Sequence, residues 1–490
     1  MKILLAAAEV SPFAKIGGLA DMTAALPKAW KAAGHDVVVF LPLYATIDKE
    51  RFGLQKLPLL VDVPFGSWTE YATVWKGMLP GTDVPVYFVA SSDYYERPGI
   101  YGYHEGFQDN DRRFIFLSRA AFEVCRAIDF APDVIHAHDY HTATMMPMLK
   151  VLYRQDPLFC TTAGVYTIHN MAYQGMFDPA RAMEFCGFDP AEWYTGSWYE
   201  YEGAFNAMKA GIMFADKITT VSPTYAEEIR WTPEGHGMQS ALQVRGGDLI
   251  GVLNGIDPDE WNPETDEHLP VRYSASQIDR KEANKQALLR MFQLPDDERQ
   301  RDIPVIGMVT RLTEQKGIML ITQVIESFLQ DGECRFVLLG SGESRFENYF
   351  KDLAYRYPYH ALIKTGYDTA LSHMIQAASD YYLMPSKFEP CGLTQMFALT
   401  YGAVPIVRAT GGLADTVQQY DPITFSGNGF MFQRLMADDL HASMTDALRT
   451  YKREPHWTSL RINAMAQDFS IAGTAQRYID VFGWAQQSRR

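Results

Sequence analysis

The chain has 490 residues, 47% hydrophobic and 13% aromatic, which is too long for one comfortable core and too apolar for a disordered chain. Its formal net charge of −15 excludes a general nucleic-acid binder, while a few cations in a cleft could still hold an anionic small molecule. Five cysteines (Cys125, Cys160, Cys186, Cys334 and Cys391) with no CxxC pair point to a reducing compartment and supply no structural zinc pattern.

The opening stretch MKILLAAAEV briefly imitates a secretory signal. Glu9 and Pro12 interrupt its apolar run, and a buried parallel strand accounts for it better. No apolar stretch approaches the ~18 residues of a membrane span, so a cytoplasmic protein with no membrane partner is expected. KILLAAA, DVVVFLPL, PVYFVAS, DVIHAHD and GVYTIHN read as strands separated by helical stretches such as DMTAALPKAWKAAG and DRRFIFLSRAAFEVCRAI. The pattern restarts after residue 300 with IPVIGMVT, CRFVLLGSG, ALIKTG, YYLMPS and AVPIVRAT. Such alternation specifies an α/β chain of two doubly wound parallel sheets. Residues 231–300 are rich in Pro, Gly and Asp and read largely as loops, with a hinge at 254–263. The expected domains are 1–253 and 254–467, with a terminal helix over 468–490 crossing back onto the first.

The first glycine loop, SPFAKIGGLAD, joins the first strand to an amphipathic helix. Asp21 can cap that helix and Gly34 suits its C-terminal side. Gly17 and Gly18 can bring backbone amides to a phosphate, with Lys15 two residues upstream. A tight turn explains the same glycines equally well. The spacing is neither GxGxxG nor a P-loop, and the GxG of LLGSGESRF lacks a third glycine, so a dinucleotide fold is not indicated. In RLTEQKG, Arg311 and Lys316 stand at the end of a strand, where open α/β sheets bind ligands and where two cations can neutralise a diphosphate; a solvated pair is the alternative. PSKFEPCGLTQ places Glu389 on an apolar approach to a turn before a helix, suited to a polyhydroxy ligand or to a helix entry. His136, His138, Asp139 and His141 crowd one strand end and His169 another. A zinc site there lacks further ligands, and a satisfied core histidine is the alternative for His136.

KIGGLAD, HAHDYHT, TIHNMAYQG, TVSPTYAEEI, LNGID, RLTEQKG, PSKFEPCGLTQ and GAVPIVRATGGLADTV occur in this order along nearly the whole chain. In this the chain resembles bacterial glycogen synthases and plant starch synthases. The resemblance implies a GT-B glycosyltransferase fold, two Rossmann-like domains facing a central cleft. It also implies transfer of glucose from ADP-glucose to the non-reducing 4-OH of an α-1,4-glucan, with retention and without a metal or other cofactor. The implied location is the cytoplasm, or the plastid stroma in a plastid-bearing source.

By motif, Lys15, Gly17 and Gly18 would meet the donor, bordered by Asp21 and Asn254. Arg311 and Lys316 would stabilise the departing diphosphate, while His169 and Glu389 would hold glucose hydroxyls. Cys391, Gly392, Leu393 and Thr394 would form the amide-rich turn beside sugar and phosphates. Gly366 and Tyr367 would pack near the nucleotide, Asp139 would face the acceptor, and Tyr95 would line the cleft near the sugar or acceptor. The resemblance favours front-face attack over Asp139 as a covalent nucleophile. Phe397 stands where many other retaining transferases of this fold carry a second Glu. Competing readings are a UDP-glucose or small-acceptor transferase, a nucleotide-sugar epimerase, and a catalytically silent glucan-binding regulator. GGLAD occurs again at 411–415, where a second strand–turn–helix junction would shape the wall near the donor.

Overall fold

The computed structural model describes residues 1–102, 106–294 and 302–489. Contacts divide the chain into one unit of Met1–Gly255 with Ile471–Arg490 and a second of Ile256–Ser470.

In the first unit the apolar runs form β1 (Lys2–Ala6), β2 (Asp36–Pro42), β5 (Pro85–Ala90), β6 (Val134–His138) and β7 (Ala163–Ile168), with β11 (Lys217–Thr220) and β12 (Leu249–Gly251). All pair in parallel. Strands β3 (Gln55–Phe65) and β4 (Trp68–Met78) add an antiparallel hairpin, completing the order β12-β11-β7-β6-β1-β2-β5-β4-β3. This hairpin was not foreseen. Its apolar residues alternate with exposed polar ones and include Pro58 and Pro64, so it lacks the continuous apolar run of a strand buried on both faces. β8 (Met176–Phe177), β9 (Glu200–Tyr201) and β10 (Ala204–Asn206) make a small separate sheet.

The helix Gly18–Ala32 buries Leu19, Met22, Leu26 and Trp30 along one face and stops at Gly34, whose φ of +85° suits glycine. Asp21 does not cap it. The N-cap position is Gly17, and Asp21 sits inside the first turn. The terminal helix Ile471–Ser488 packs within this unit: Trp30 Nε1 donates to the Ala475 carbonyl at 3.1 Å, and Phe482 lies 5.2 Å from both the Trp30 and His136 rings.

The second unit carries a six-stranded parallel sheet in the order β15-β14-β13-β16-β17-β18, from β13 (Val305–Leu312), β14 (Arg335–Gly342), β15 (Ala361–Thr365), β16 (Tyr381–Met384), β17 (Val404–Arg408) and β18 (Phe430–Phe432). Ile306 and Met308 enter one core on β13 and Val305 the other, as expected where helices cover both faces. The stretch read as loops contains the helices Gln239–Val244 and Lys281–Met291; residues 295–300 lie outside the described residues. The missed helix is anchored by Lys281. Its ammonium donates to the carbonyls of Gln376, Ala377 and Tyr401 at 2.8–3.0 Å, closing the ends of two further helices, and burial lowers its pKa to about 7.

Truncating Phe482 to Ala should destabilise the first unit by about 3–5 kcal/mol, because Phe482 is fully buried against two aromatic rings. Urea unfolding should show this as a lower midpoint at an unchanged slope.

Candidate functional site

Glu9 follows β1 and is buried, with 3% of its surface exposed. Its Oε2 accepts the backbone N–H groups of Ile16 at 2.6 Å and Gly17 at 3.0 Å, and Oε1 accepts the Tyr101 hydroxyl. Burial raises its pKa, and these donors oppose the rise. Glu9 is therefore the clamp that sets the glycine loop, a role missed in the sequence, where the visible signal was a carboxylate leaving an apolar strand. Lys15 pairs with Asp21 at 2.6 Å, partly exposed. Such a pair adds at most about 1 kcal/mol to stability, so its consequence is the placing of a cation over the loop. A Cβ added at Gly17 would meet no atom within 4 Å, so this glycine leaves space open instead of relieving a clash.

Where β6 ends, Asp139 adopts a φ of +52°, a strained conformation for a residue with a side chain. Its Oδ1 accepts the N–H groups of His169 at 2.7 Å and Asn170 at 3.4 Å, tying the ends of β6 and β7 together. Burial raises the Asp139 pKa to about 7 despite those amides. His169 Nε2 lies 2.9 Å from His138 Nδ1, and burial lowers the His169 pKa to about 3. His136 meets Thr167 at 2.6 Å and is a packed core histidine. Among the described residues no group of three or more His, Cys, Asp or Glu side chains could hold a metal ion. Asn254 is buried, and its Oδ1 has no hydrogen-bond partner among the described residues. Tyr95 does not line an open surface: it is fully buried, its hydroxyl donates to the Arg113 carbonyl at 2.7 Å, and it packs against Tyr44 and Phe116. Its apolar ring made burial the cheaper outcome.

In the second unit, a cavity of about 170 Å³ opens at the carboxyl ends of β13 and β16, lined by Arg311, Lys316, Ser386 and Thr394. Lys316 Nζ stands 2.7 Å from Glu389 Oε2, which also accepts the Ser386 hydroxyl at 3.0 Å. Glu389 Oε1 makes no hydrogen bond within the described residues. Gly317 has φ +71°, and a Cβ there would lie 1.9 Å from the Pro385 carbonyl oxygen, so only glycine lets this loop reach the strand end. The turn at Cys391 and Gly392 is held from within: Gln395 Nε2 donates to both carbonyls, at 3.0 and 2.9 Å. Leu393 is the N-cap residue of the helix Thr394–Thr400.

The second GGLAD supports this turn. Gly411 has φ +43°, and its added Cβ would lie 2.0 Å from the Glu389 carbonyl oxygen; at Gly412 the Cys391 carbonyl oxygen would be at 2.1 Å. Gly412 N–H donates to the carbonyls of Glu389 and Pro390, both at 3.2 Å. Gly366 and Tyr367 follow β15, Gly366 half-buried and Tyr367 exposed, and neither is among the residues lining the cavity. Phe397 lies flat against Trp261 at 3.7 Å, with His373 stacked on Trp261 at 3.9 Å, so packing holds the position where other transferases carry a Glu.

Comparison with known proteins gives the family of the chain. Residues 2–244 match the starch synthase catalytic domain family and residues 293–459 the family glycosyl transferases group 1. Glycogen synthase 1 of Geobacter sulfurreducens is 45% identical over all of this chain and 97% of its own length. The glycogen synthase of Thermosipho melanesiensis is 40% identical over the whole of both chains. The catalytic domain of starch synthase IV from Arabidopsis thaliana, solved with ADP and acarbose bound, superposes with a TM-score of 0.90 at 36% identity, covering 99% of each chain. A sucrose-phosphate synthase from Thermosynechococcus elongatus shares the fold at TM-score 0.61 and 15% identity, over 99% of this chain and 98% of its own.

Two outcomes follow from the loops. Gly411→Ala should lower turnover about 100-fold by displacing the Glu389 turn and cost about 2 kcal/mol, whereas Gly17→Ala should change stability by less than about 0.5 kcal/mol. Kinetics and urea unfolding of both variants check the contrast. For Asp139, the folded chain keeps a proton up to about 7 that the unfolded chain releases near 3.8. The associated stability is whole below the unfolded value and is lost as pH rises through the folded one. Asp139→Asn removes this titration, so the fall in unfolding free energy from about pH 5.5 to about pH 8 should shrink by about 2 kcal/mol.

Proposed function

This chain belongs to the glycogen and starch synthase family of glycosyltransferases, and we propose that it transfers glucose from ADP-glucose to the non-reducing 4-OH of an α-1,4-glucan, with retention. The observation that carries the reading is the cavity of the second unit, where Arg311 and a Lys316 held by Glu389 line the carboxyl edge of a parallel sheet. Open α/β sheets take their ligands at that edge.

When the bond from glucose C1 to the diphosphate oxygen breaks, negative charge collects on the leaving group. The Arg311 guanidinium and the Lys316 ammonium at that edge stabilise the charge, and one such donor is commonly worth about 3 kcal/mol in the transition state. No divalent metal is then required. Glu389 Oε1, without a hydrogen bond within the described residues, is available to a glucose hydroxyl while Oε2 stays with Lys316. In the first unit, His169 is the residue proposed to meet a sugar hydroxyl. The acceptor 4-OH attacks C1 on the face that the diphosphate leaves, and its proton passes to the departing diphosphate oxygen. Asp139 is poorly suited to the alternative covalent role, because burial favours its protonated form up to about 7 and backbone amides occupy Oδ1.

Adenine as the base is supported by the ADP bound to the 36% identical Arabidopsis starch synthase IV, and a glucan acceptor by the glycogen synthases at 40% and 45% identity. The purified protein should extend glycogen with labelled ADP-glucose in the presence of a chelator, and much more slowly with UDP-glucose. Lys316→Ala and Glu389→Ala should each lower kcat by about 100-fold or more in protein that circular dichroism shows to be folded at the assay temperature, a loss beyond what any lowering of the unfolding midpoint explains. No incorporation from either donor would remove the transferase reading. Faster turnover with UDP-glucose would remove only the choice of base.

A further inference from the structure

The imidazoles at the ends of β6 and β7 carry more than a contact to sugar. His138 Nδ1 and His169 Nε2 are 2.9 Å apart. Two neutral imidazoles share such a contact only when one nitrogen bears the proton and the other offers its lone pair. Burial lowers the pKa of both rings, so both are neutral near neutral pH.

Two tautomer arrangements satisfy the contact. In one, His169 donates from Nε2 and His138 must carry its proton on its own Nε2. That atom is buried without a partner among the described residues, so the arrangement strands an N–H donor. In the other, His138 donates from Nδ1 and its Nε2 is only an unused lone pair. Stranded buried donors are much rarer than under-used acceptors, which selects the second arrangement. His169, half-buried as a residue, then bears its proton on Nδ1, which makes no hydrogen bond within the described residues.

The rings are held for this. The His136 ring lies 4.1 Å from that of His138, and His136 is itself tied to Thr167 at 2.6 Å. The His138 N–H donates to the Thr142 hydroxyl at 2.7 Å, and Asp139 holds the His169 backbone at 2.7 Å.

We propose that His138 is a positioning residue that locks His169 as the Nδ1–H tautomer, so that His169 presents a hydrogen-bond donor to an oxygen of the bound sugar. The role toward sugar rests on the glucosyltransferase reading, whereas the tautomer does not.

Two-bond 1H–15N spectra of the ligand-free, 15N-labelled protein report which ring nitrogen carries the proton. The expected result is a protonated Nδ1 and a bare Nε2 on His169. His138→Leu should give mixed tautomers at His169 and lower kcat/KM about tenfold, the size expected for one lost hydrogen bond. His138→Asn, whose amide N–H takes the place of Nδ1–H, should restore the tautomer and recover most of that loss. A proton on His169 Nε2 in the unaltered protein overturns the proposal, as does an unchanged tautomer in His138→Leu. If the leucine variant does not fold, the unaltered protein and His138→Asn decide. The expected tautomer in a protein that elongates no glucan would instead overturn the transferase reading and leave the histidine pairing standing.

Discussion

A carboxylate taken out of water must be given donors, and Glu9, Asp139 and Glu389 each obtain theirs at the loop that follows a parallel strand. Glu9 takes two amides of the glycine loop and a tyrosine hydroxyl. Asp139 takes amides from the end of the neighbouring strand. Glu389 takes an ammonium from the loop after β13 and a hydroxyl from its own loop. In each case the requirement to satisfy a buried carboxyl group sets the course of a backbone that would otherwise be a free loop. Groups that must meet a ligand are placed by the same bonds that make burial tolerable.

The repeated GGLAD shows how context decides what a motif does. Both copies occupy a strand–turn–helix junction, and both begin a helix, at Gly18 and at Gly411. The first lies open, with room around Gly17 and a lysine–aspartate pair beside it. The second is pressed against the backbone of Glu389 and Cys391 so closely that side chains at 411 and 412 are excluded. Glycine serves access in one copy and close packing in the other, and the pentapeptide itself carries no difference between them.

Much of the architecture was legible because buried parallel strands write themselves as short continuous apolar runs, as in DVVVFLPL and YYLMPS. The hairpin of β3 and β4 escaped because one of its faces is solvated and its pattern is broken by charges and prolines. The helix Lys281–Met291 escaped because its mean hydropathy is low and its anchor is a buried lysine, whose three carbonyl partners lie about a hundred residues away in the chain. Of the site residues, Arg311, Lys316 and Thr394 converge on one cavity, with Glu389 bonded to Lys316 beside it. Tyr95 went into the core, since position in a motif does not state which way a ring turns.

By itself the sequence determined most of the parallel strands and the residue types able to meet a diphosphate and a sugar, because periodicity, glycine placement and charge are local properties. Only the tertiary structure decided which donor satisfies which buried carboxylate, which GGLAD is open, and that Phe397 is held in an aromatic stack. It also decided that His138 and His169, thirty-one positions apart, bring ring nitrogens to 2.9 Å of each other. Hydrogen bonds and burial depend on atoms brought together from distant parts of the chain, and no local pattern encodes the partner that a side chain will find.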